Sequence, residues 1–408
     1  MRILILSQWF QPEPFYKGIS FVESLQSRGH EVEVLTGFPN YPGGKVYDGY
    51  KIRLFQREDH KGCRINRVAL YPSHDQSGLK RLLNYASFAW SAALLGPWLV
   101  RRPDVIYVYH PPGTIGFPAA VLRFLKRAPV VYDIQDMWPD TISSTGMMSN
   151  RRVLAVLGAW MKWVYRRANA IVVLSPGFQK LLGARGVPPD KIDVIYNWND
   201  DRSQEFGAEP GALPDGIEIS GEFVVLFAGT MGQAQALDSV LEAAKLVLIE
   251  NPAVRFYFVG GGIDRDRLQS RAQEENIDNV FFLPRQPMEK MSPILSRADA
   301  LLVHLRNDPL FEITIPSKTQ TYMAAGRPII MGVRGDAADL VTEAGCGLLC
   351  APEEPRSVAD AVIQLARMPK DERNVMGARG RAFYRERMSM EVGVDRFLEI
   401  FQRVQKIR

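Results

Sequence analysis

Residues 308–332, DPLFEITIPSKTQTYMAAGRPIIMG, set an acid-bearing loop, a proline and a helix opened by Ser317 and Lys318 in one short run. Gly326 closes that helix and Pro328 leads into an apolar strand; proline before a helix and glycine after it are the usual punctuation. The first turn of a helix exposes unpaired N–H groups and a partial positive charge. Ser317 adds a hydroxyl and Lys318 a full charge, so the segment outlines a diphosphate site. An ordinary capped helix with a solvated lysine is the other reading.

More residues of chemical interest stand where apolar runs end. Gly18 lies in the first β–α loop, Gly229 and Gly232 follow the run 223–228, and Gly260, Gly261 and Gly262 follow 256–259. Glycine there lets the main chain approach a ligand bearing phosphates or sugars, and a tight turn is the alternative for any one of them. His110 directly follows the run 105–109, with Pro111, Pro112 and Gly113 behind it. Asp133 and Asp136 straddle another strand end, with Trp138 after them. Carboxylates suit sugar hydroxyls and an indole suits the face of a sugar ring, so these three are candidates for an acceptor. One of the two carboxylates, Asp133 before Asp136, could instead cap a short helix near 139–143. No G-x-G-x-x-G follows any strand and no Walker P-loop is present, which argues against NAD-dependent oxidoreductases and P-loop hydrolases. No catalytic metal is expected.

The elements that must position these residues alternate regularly. Strands are expected at 3–7, 32–36, 64–70, 105–109, 130–133, 170–174 and 193–196, then at 223–228, 256–259, 280–283, 300–303, 328–331 and 347–349, with helices between and a helical tail from about 357. Continuous apolar strands alternating with helices imply parallel sheets covered on both faces. A chain of 408 residues exceeds one compact domain. The polar, Gly- and Pro-rich stretch 201–221 is the expected linker between domains at 1–200 and 222–384. The fold class is therefore α/β, with two doubly wound Rossmann-like domains facing a central cleft, where such folds bind ligands.

Charge is unevenly placed. Residues 1–200 hold 25 Lys and Arg against 15 Asp and Glu, and residues 201–408 hold 25 against 30. The basic pairs Lys80-Arg81, Arg101-Arg102, Lys126-Arg127, Arg151-Arg152 and Arg166-Arg167 flank apolar helices, which fits an anionic membrane surface better than nucleic acid. Residues 79–100 form the most apolar stretch, interrupted by Asn84, Ser87 and Pro97. It reads as an interfacial amphipathic helix with Trp90 and Trp98 at the headgroups, or as a helix covering the first sheet. The three cysteines have no metal-spaced His partners, and the apolar run at the N-terminus is too short for a signal peptide, so a reducing cytosol is expected.

The segments LSQWFQPEPFYKG, DVIYVYHPPG, VYDIQDMWPD, IVVLSPGF, VIYNWND, VVLFAGTMGQAQALDSVLEAA, FYFVGGG and PSKTQTYMAAGRPI, in this order along nearly the whole chain, resemble the retaining glycosyltransferases of family four, with the GT-B fold. The likeness is to the subgroup that builds O-antigen, capsule and colanic acid repeats and includes N-acetyl-L-fucosamine transferases. It implies a nucleoside-diphosphate sugar, usually UDP-linked, on the C-terminal domain, an acceptor on the N-terminal domain, and a C-terminal helix (about 385–408) packed back on the first domain. The basic clamp of the family falls here on Thr230 and Gln235; Arg285 and Lys318 are the expected substitutes. The paired glutamates of the family fall on Ile313 and Thr321. Glu312 is expected to approach the donor sugar, and Thr321 or Gln320 to meet the ribose. The resemblance places His110 on the donor sugar or in support of the site; a structural histidine bonded to a nearby carbonyl is the alternative.

The expected activity is same-face sugar transfer with retention, from a UDP-sugar such as UDP-N-acetyl-L-fucosamine to a polyprenyl-diphosphate-linked acceptor, without cofactor or metal. The expected location is the inner face of the cytoplasmic membrane, as a peripheral protein. A GT-B sugar-nucleotide epimerase and a non-catalytic GT-B scaffold subunit are the competing readings.

Overall fold

The structure, a computed structural model, describes residues 1–14, 17–73, 78–144, 150–199, 212–214 and 216–406. Most of the expected linker, 201–211 and 215, lies outside the described residues. The chain divides into two compact units, Met1–Tyr196 with Gly393–Arg408, and Asn197–Val392.

The first unit is built on an eight-stranded sheet of order β3-β4-β2-β1-β5-β6-β7-β8. Its strands are β1 (Arg2–Leu6), β2 (Glu31–Gly37), β3 (Phe55–His60), β4 (Cys63–Val68), β5 (Val105–His110), β6 (Val130–Ile134), β7 (Ala170–Val173) and β8 (Ile192–Val194). Its helices are α1 (Ile19–Ser27), α2 (Gly78–Leu99), α3 (Gly116–Lys126), α4 (Asp140–Ser144), α5 (Arg151–Arg167) and α6 (Pro176–Ala184). The central strands are buried end to end, as strands covered on both faces must be. β3 was not expected: FQREDH has no apolar alternation and lies mostly exposed. It runs antiparallel to β4 at the sheet edge, where charged side chains hinder further pairing. The sheet is thus mixed at that edge rather than wholly parallel.

The second unit carries a six-stranded parallel sheet of order β11-β10-β9-β12-β13-β14. Its strands are β9 (Phe223–Ala228), β10 (Val254–Val259), β11 (Val280–Leu283), β12 (Ala300–His304), β13 (Ile329–Gly332) and β14 (Gly347–Leu349). Its helices are α7 (Leu237–Glu250), α8 (Arg265–Glu274), α9 (Met291–Ser296), α10 (Pro309–Glu312), α11 (Ser317–Ala325), α12 (Asp336–Ala344), α13 (Pro355–Arg367) and α14 (Lys370–Arg387), and α15 (Met390–Lys406) follows. Phe227, Phe256, Phe258, Val240 and Val362 are among the side chains of one buried core.

From Gly393 onward α15 belongs to the first unit. Phe397 packs edge-on against Phe21 and Tyr107, with ring centroids 5.6 and 5.4 Å apart. Arg403 pairs with Asp193, and Arg28 with Asp395 at 2.9 Å. The C-terminal helix is therefore held by an aromatic face and flanking ion pairs. α2 covers the first sheet, so closely that a Cβ at Gly96 would lie 2.8 Å from Leu35 of β2.

Candidate functional site

Each sheet reverses its strand order at one point, where loops from the carboxyl ends of two adjacent strands diverge and ligands bind. In the first sheet that point lies between β1 and β5, and in the second between β9 and β12. The residues of interest fall into two clusters, one at each point.

In the second unit, Gly229 leaves β9 with φ +139, and a Cβ there would lie 2.6 Å from Cε of Lys318. Glycine is required both by that backbone angle and by the lysine lying across it. Lys318 occupies the first turn of α11, where the N–H groups of Ser317 and Lys318 precede the first intrahelical donor. Its ammonium sits 3.7 Å from the centre of the Phe227 ring and pairs with no carboxylate among the described residues. Burial pushes its pKa down to about 7, as expected of a cation removed from water without a counter-charge. Gly260 and Gly262 close against the carbonyls of Gly229 and Met231, each leaving a Cβ only 2.1 Å from that oxygen. The lysine, the helix start and the glycine turns therefore converge. Thr230 is exposed and Gly232 half-buried in the same turn; the N–H of Gly232 donates to Gln235 Oε1 at 3.1 Å.

Other expected residues fall elsewhere or are already engaged. Arg285 is exposed beyond β11, the edge strand, two strand spacings or about 10 Å from β9, across whose end Lys318 lies. Gln320 is buried, and its amide nitrogen donates to the carbonyls of Pro316 (2.8 Å) and Ser317 (3.1 Å); it stiffens the start of α11 instead of facing a ribose. Thr321 is half-buried with its hydroxyl within 2.8 Å of Asn199 Oδ1 and 3.1 Å of Ser317 O. Glu312 ends α10 half-buried, its backbone against Gly335.

Two residues missed in the sequence shape this turn. His304, fully buried at the end of β12, bonds Gln235 O through Nδ1 (2.8 Å) and receives the N–H of Glu353 on Nε2 (3.2 Å). That pair of bonds fixes the Nδ1–H tautomer and ties the 232–236 turn to the loop after β14. Arg306 donates its N–H to Ala234 O (2.9 Å) and its guanidinium to Asp308 (3.0 Å), which brings a second cation beside the turn. Their only sequence signal was their place just past an apolar strand.

In the first unit, His110 ends β5 fully buried, its ring 5.9 Å from Tyr132 and 5.7 Å from Trp138. Among the described residues neither ring nitrogen has a hydrogen-bonding partner on another residue. Burial pushes its pKa down to about 3 and keeps it neutral. Asp136, just past β6, is half-buried; its carboxylate has no hydrogen-bonding partner among the described residues, and burial pushes that carboxyl up to about 6.

Asp133 and Trp138 depart from the expected acceptor role. Asp133 is fully buried; Lys17 Nζ (2.5 Å) and the Tyr107 hydroxyl (2.6 Å) meet one oxygen and Gln135 (2.6 Å) the other. A buried carboxylate needs such partners, which leaves it neither free for sugar nor capping a helix. Trp138 is buried against Gly113, where a Cβ would lie 2.8 Å from its ring, so it offers no open face. Gly18 packs beneath Gln11, whose Oε1 receives the N–H of Ile19 at 2.9 Å, so it fits a side chain instead of presenting backbone. Glu13, also unforeseen, accepts the N–H groups of Phe10 (3.1 Å), Asn40 (2.7 Å) and Tyr41 (2.7 Å), and burial still raises its carboxyl to about 7. Among the described residues no group of three His, Cys, Asp or Glu side chains is arranged to hold a metal.

Two doubly wound halves in one chain are the architecture of the GT-B fold. Residues 20–198 match the glycosyl transferase 4-like domain and residues 214–383 the glycosyl transferases group 1 domain. The chain belongs to this glycosyltransferase family. It is 27% identical over 391 residues to the putative colanic acid biosynthesis glycosyl transferase WcaI of Escherichia coli (strain K12), covering 91% of this chain and 93% of the relative. It is 25% identical over 375 residues to the GDP-mannose-dependent alpha-mannosyltransferase of Mycobacterium tuberculosis (strain CDC 1551 / Oshkosh), covering 90% and 88%. The crystal structure of Anabaena Alr3699/HepE in complex with UDP matches with a TM-score of 0.67 at 16% identity, covering 98% of this chain and 100% of that one.

Proposed function

We propose that the protein transfers a sugar from a nucleoside-diphosphate donor to a lipid-linked sugar acceptor during assembly of a bacterial surface polysaccharide, with retention at the anomeric carbon. One observation carries this reading: the ammonium of Lys318, without a carboxylate partner among the described residues, lies on Gly229 at the switch point of the second sheet. A diphosphate supplies the missing counter-charge, and the two free N–H groups at the start of α11 complete its cradle. Arg306 adds a second positive charge. The leaving diphosphate is thus stabilised by fixed donors, and its oxygen takes the acceptor proton on the face the donor sugar leaves. Glu312 approaches the donor sugar, His110 offers a neutral imidazole to a sugar hydroxyl, and Asp136 is the carboxylate open to the acceptor. Charge compensation by lysine, arginine and helix start needs no metal, so EDTA is expected to leave turnover unchanged.

The donor nucleotide is read as UDP. The HepE structure was solved with UDP, whereas the mycobacterial relative is named GDP-mannose-dependent. The E. coli relative, named for colanic acid biosynthesis, supports surface polysaccharide as the product class. The test is a panel of UDP- and GDP-sugars, UDP-N-acetyl-L-fucosamine included, with and without a polyprenyl-diphosphate sugar. Transfer that depends on acceptor and keeps the anomeric configuration supports the reading. Donor isomerisation without acceptor supports an epimerase, and no turnover with any donor supports a scaffold.

A further inference from the structure

In a parallel sheet the N–H and C=O groups of one residue face the same neighbouring strand, and successive residues alternate sides. Those of Val224 face β12: the N–H donates to Asp299 Oδ2 (3.0 Å) and the carbonyl accepts the Asp299 N–H (2.9 Å). Two and four residues on, the groups of Leu226 and Ala228 face the same way. β12 pairs with β9 only at Ala300 and Leu301, opposite Val225 and Leu226; beyond that it follows β13 as far as His304. On its other side β9 stays paired with β10 through Ala228. The second sheet thus splits on one side of Ala228, at its switch point. The N–H and C=O of that residue are left without a strand, and such groups need another partner.

One side chain meets both. Tyr322 of α11, 1% exposed, accepts the Ala228 N–H on its hydroxyl (2.8 Å) and turns the hydroxyl proton toward the Ala228 carbonyl (3.4 Å), a double role open to a phenol. Burial raises the pKa of that phenol, so it stays protonated. Tyr322 follows Lys318 by four residues, which puts the two on one face of the helix. Together they touch three successive residues of β9 and its turn. The Lys318 ammonium lies on the ring of Phe227, the Tyr322 hydroxyl on the backbone of Ala228, and the Lys318 stem across Gly229. Among the described residues no other side chain of α11 hydrogen-bonds to β9. The far end of the helix is held from α14, where Arg381 donates to the carbonyls of Ala324 (3.2 Å) and Ala325 (2.7 Å).

We propose that Tyr322 is a positioning residue of the donor site: its hydroxyl bridges the end of β9 to α11 and sets the spacing at which Lys318 lies on Gly229. Without the hydroxyl, the two groups of Ala228 must turn to water, and the backbone that carries Gly229 moves off the helix. The Lys318 ammonium then regains water and holds its proton as an ordinary lysine does. The inference rests on the donor site proposed above, but the placement of Lys318 can be read without any donor.

The test is Tyr322→Phe in the full chain, with two readouts. The first is labelling of lysines by an amine-acylating reagent over a range of pH, with the Lys318 peptide followed by mass spectrometry. In the wild type its labelling is expected to rise with a midpoint near about 7. In Tyr322→Phe the labelled fraction at that pH is expected to fall about fivefold, as an upward shift of about one pH unit requires. The second readout is isothermal titration of UDP, whose affinity is expected to drop about tenfold. Thr342→Ala is the control. It removes a different hydroxyl bonded to a carbonyl of the same unit (Ala338 O, 2.9 Å), and is expected to leave midpoint and affinity unchanged. Circular dichroism and Tm report whether both variants fold. In the wild type itself, the Ala228 amide is expected to exchange with deuterium about 100-fold more slowly than an open-loop amide. Fast exchange at Ala228, an unmoved Lys318 midpoint in folded Tyr322→Phe, or an equal shift in Thr342→Ala overturns the inference. A wild type that binds neither UDP nor GDP refutes the donor reading instead, and the labelling midpoint still decides what Tyr322 does for Lys318.

Discussion

Two single residues separate a functional site from a structural one by opposing effects on stability and turnover. His110 is fully buried, with both nitrogens unbonded to any other described residue, and an unsatisfied buried polar group costs about 1–3 kcal/mol. His110→Phe keeps an aromatic ring of similar shape and is expected to hold or raise Tm while kcat falls about 100-fold; a lower Tm with normal kcat would make the histidine purely structural. Asp136, pushed up to about 6, carries a charge above that pH that the fold penalises. Its raised pKa makes stability decline as pH rises through the window from 3.8 to about 6. Asp136→Asn is therefore expected to raise Tm at neutral pH while lowering turnover on the acceptor, read by differential scanning calorimetry and by initial rates. The positions of His110 and Lys318 were legible because strand ends and helix punctuation show in local sequence. The occupation of Asp133 was not, since its partner Lys17 is 116 residues away, and no local pattern reports such a pairing.

At the scale of elements, the loop between β1 and α1 is fixed by buried charge. Lys17 meets Asp133 and lies 5.0 Å from the ring of Phe397 on α15, so one ammonium joins loop, strand β6 and C-terminal helix. Removing one partner of such a pair leaves the other charge buried. Lys17→Met is expected to cost about 3–5 kcal/mol in denaturant unfolding, and Lys17→Met/Asp133→Leu to recover most of it; equal losses in both would show that packing, not charge, holds the loop. The turn 232–236 is tied in another way, through His304. His304→Phe removes both of its bonds and is expected to raise the donor KM more than it lowers kcat, because it loosens a turn without touching the reacting atoms. The strands were largely legible as continuous apolar runs. β3 was not, because an edge strand needs no buried face and FQREDH shows no period.

At the scale of the whole chain, two sheets with restarting βα alternation were readable from 408 residues, and matches to two successive glycosyltransferase domains cover most of that length. What sequence alone left open was which cation stands at the second switch point, since Arg285 and Lys318 look alike until strand order is known. Burial that pushes Lys318 down to about 7 also sets a pH signature. The unfolded chain binds this proton up to about 10.5 and the fold only to about 7, so its contribution to stability improves as pH rises between those values. Lys318→Met should accordingly raise Tm below pH 7, a gain that fades toward pH 10. The most direct test of the central claim is isothermal titration of UDP, with GDP alongside, into wild type and Lys318→Met at about pH 8, where phosphate is already ionised, in buffers of different ionisation enthalpy. The account predicts that the wild type takes up a proton on binding, and that Lys318→Met binds about 10- to 100-fold more weakly without that uptake. Equal affinity in the two proteins, with no proton uptake in either, would contradict it.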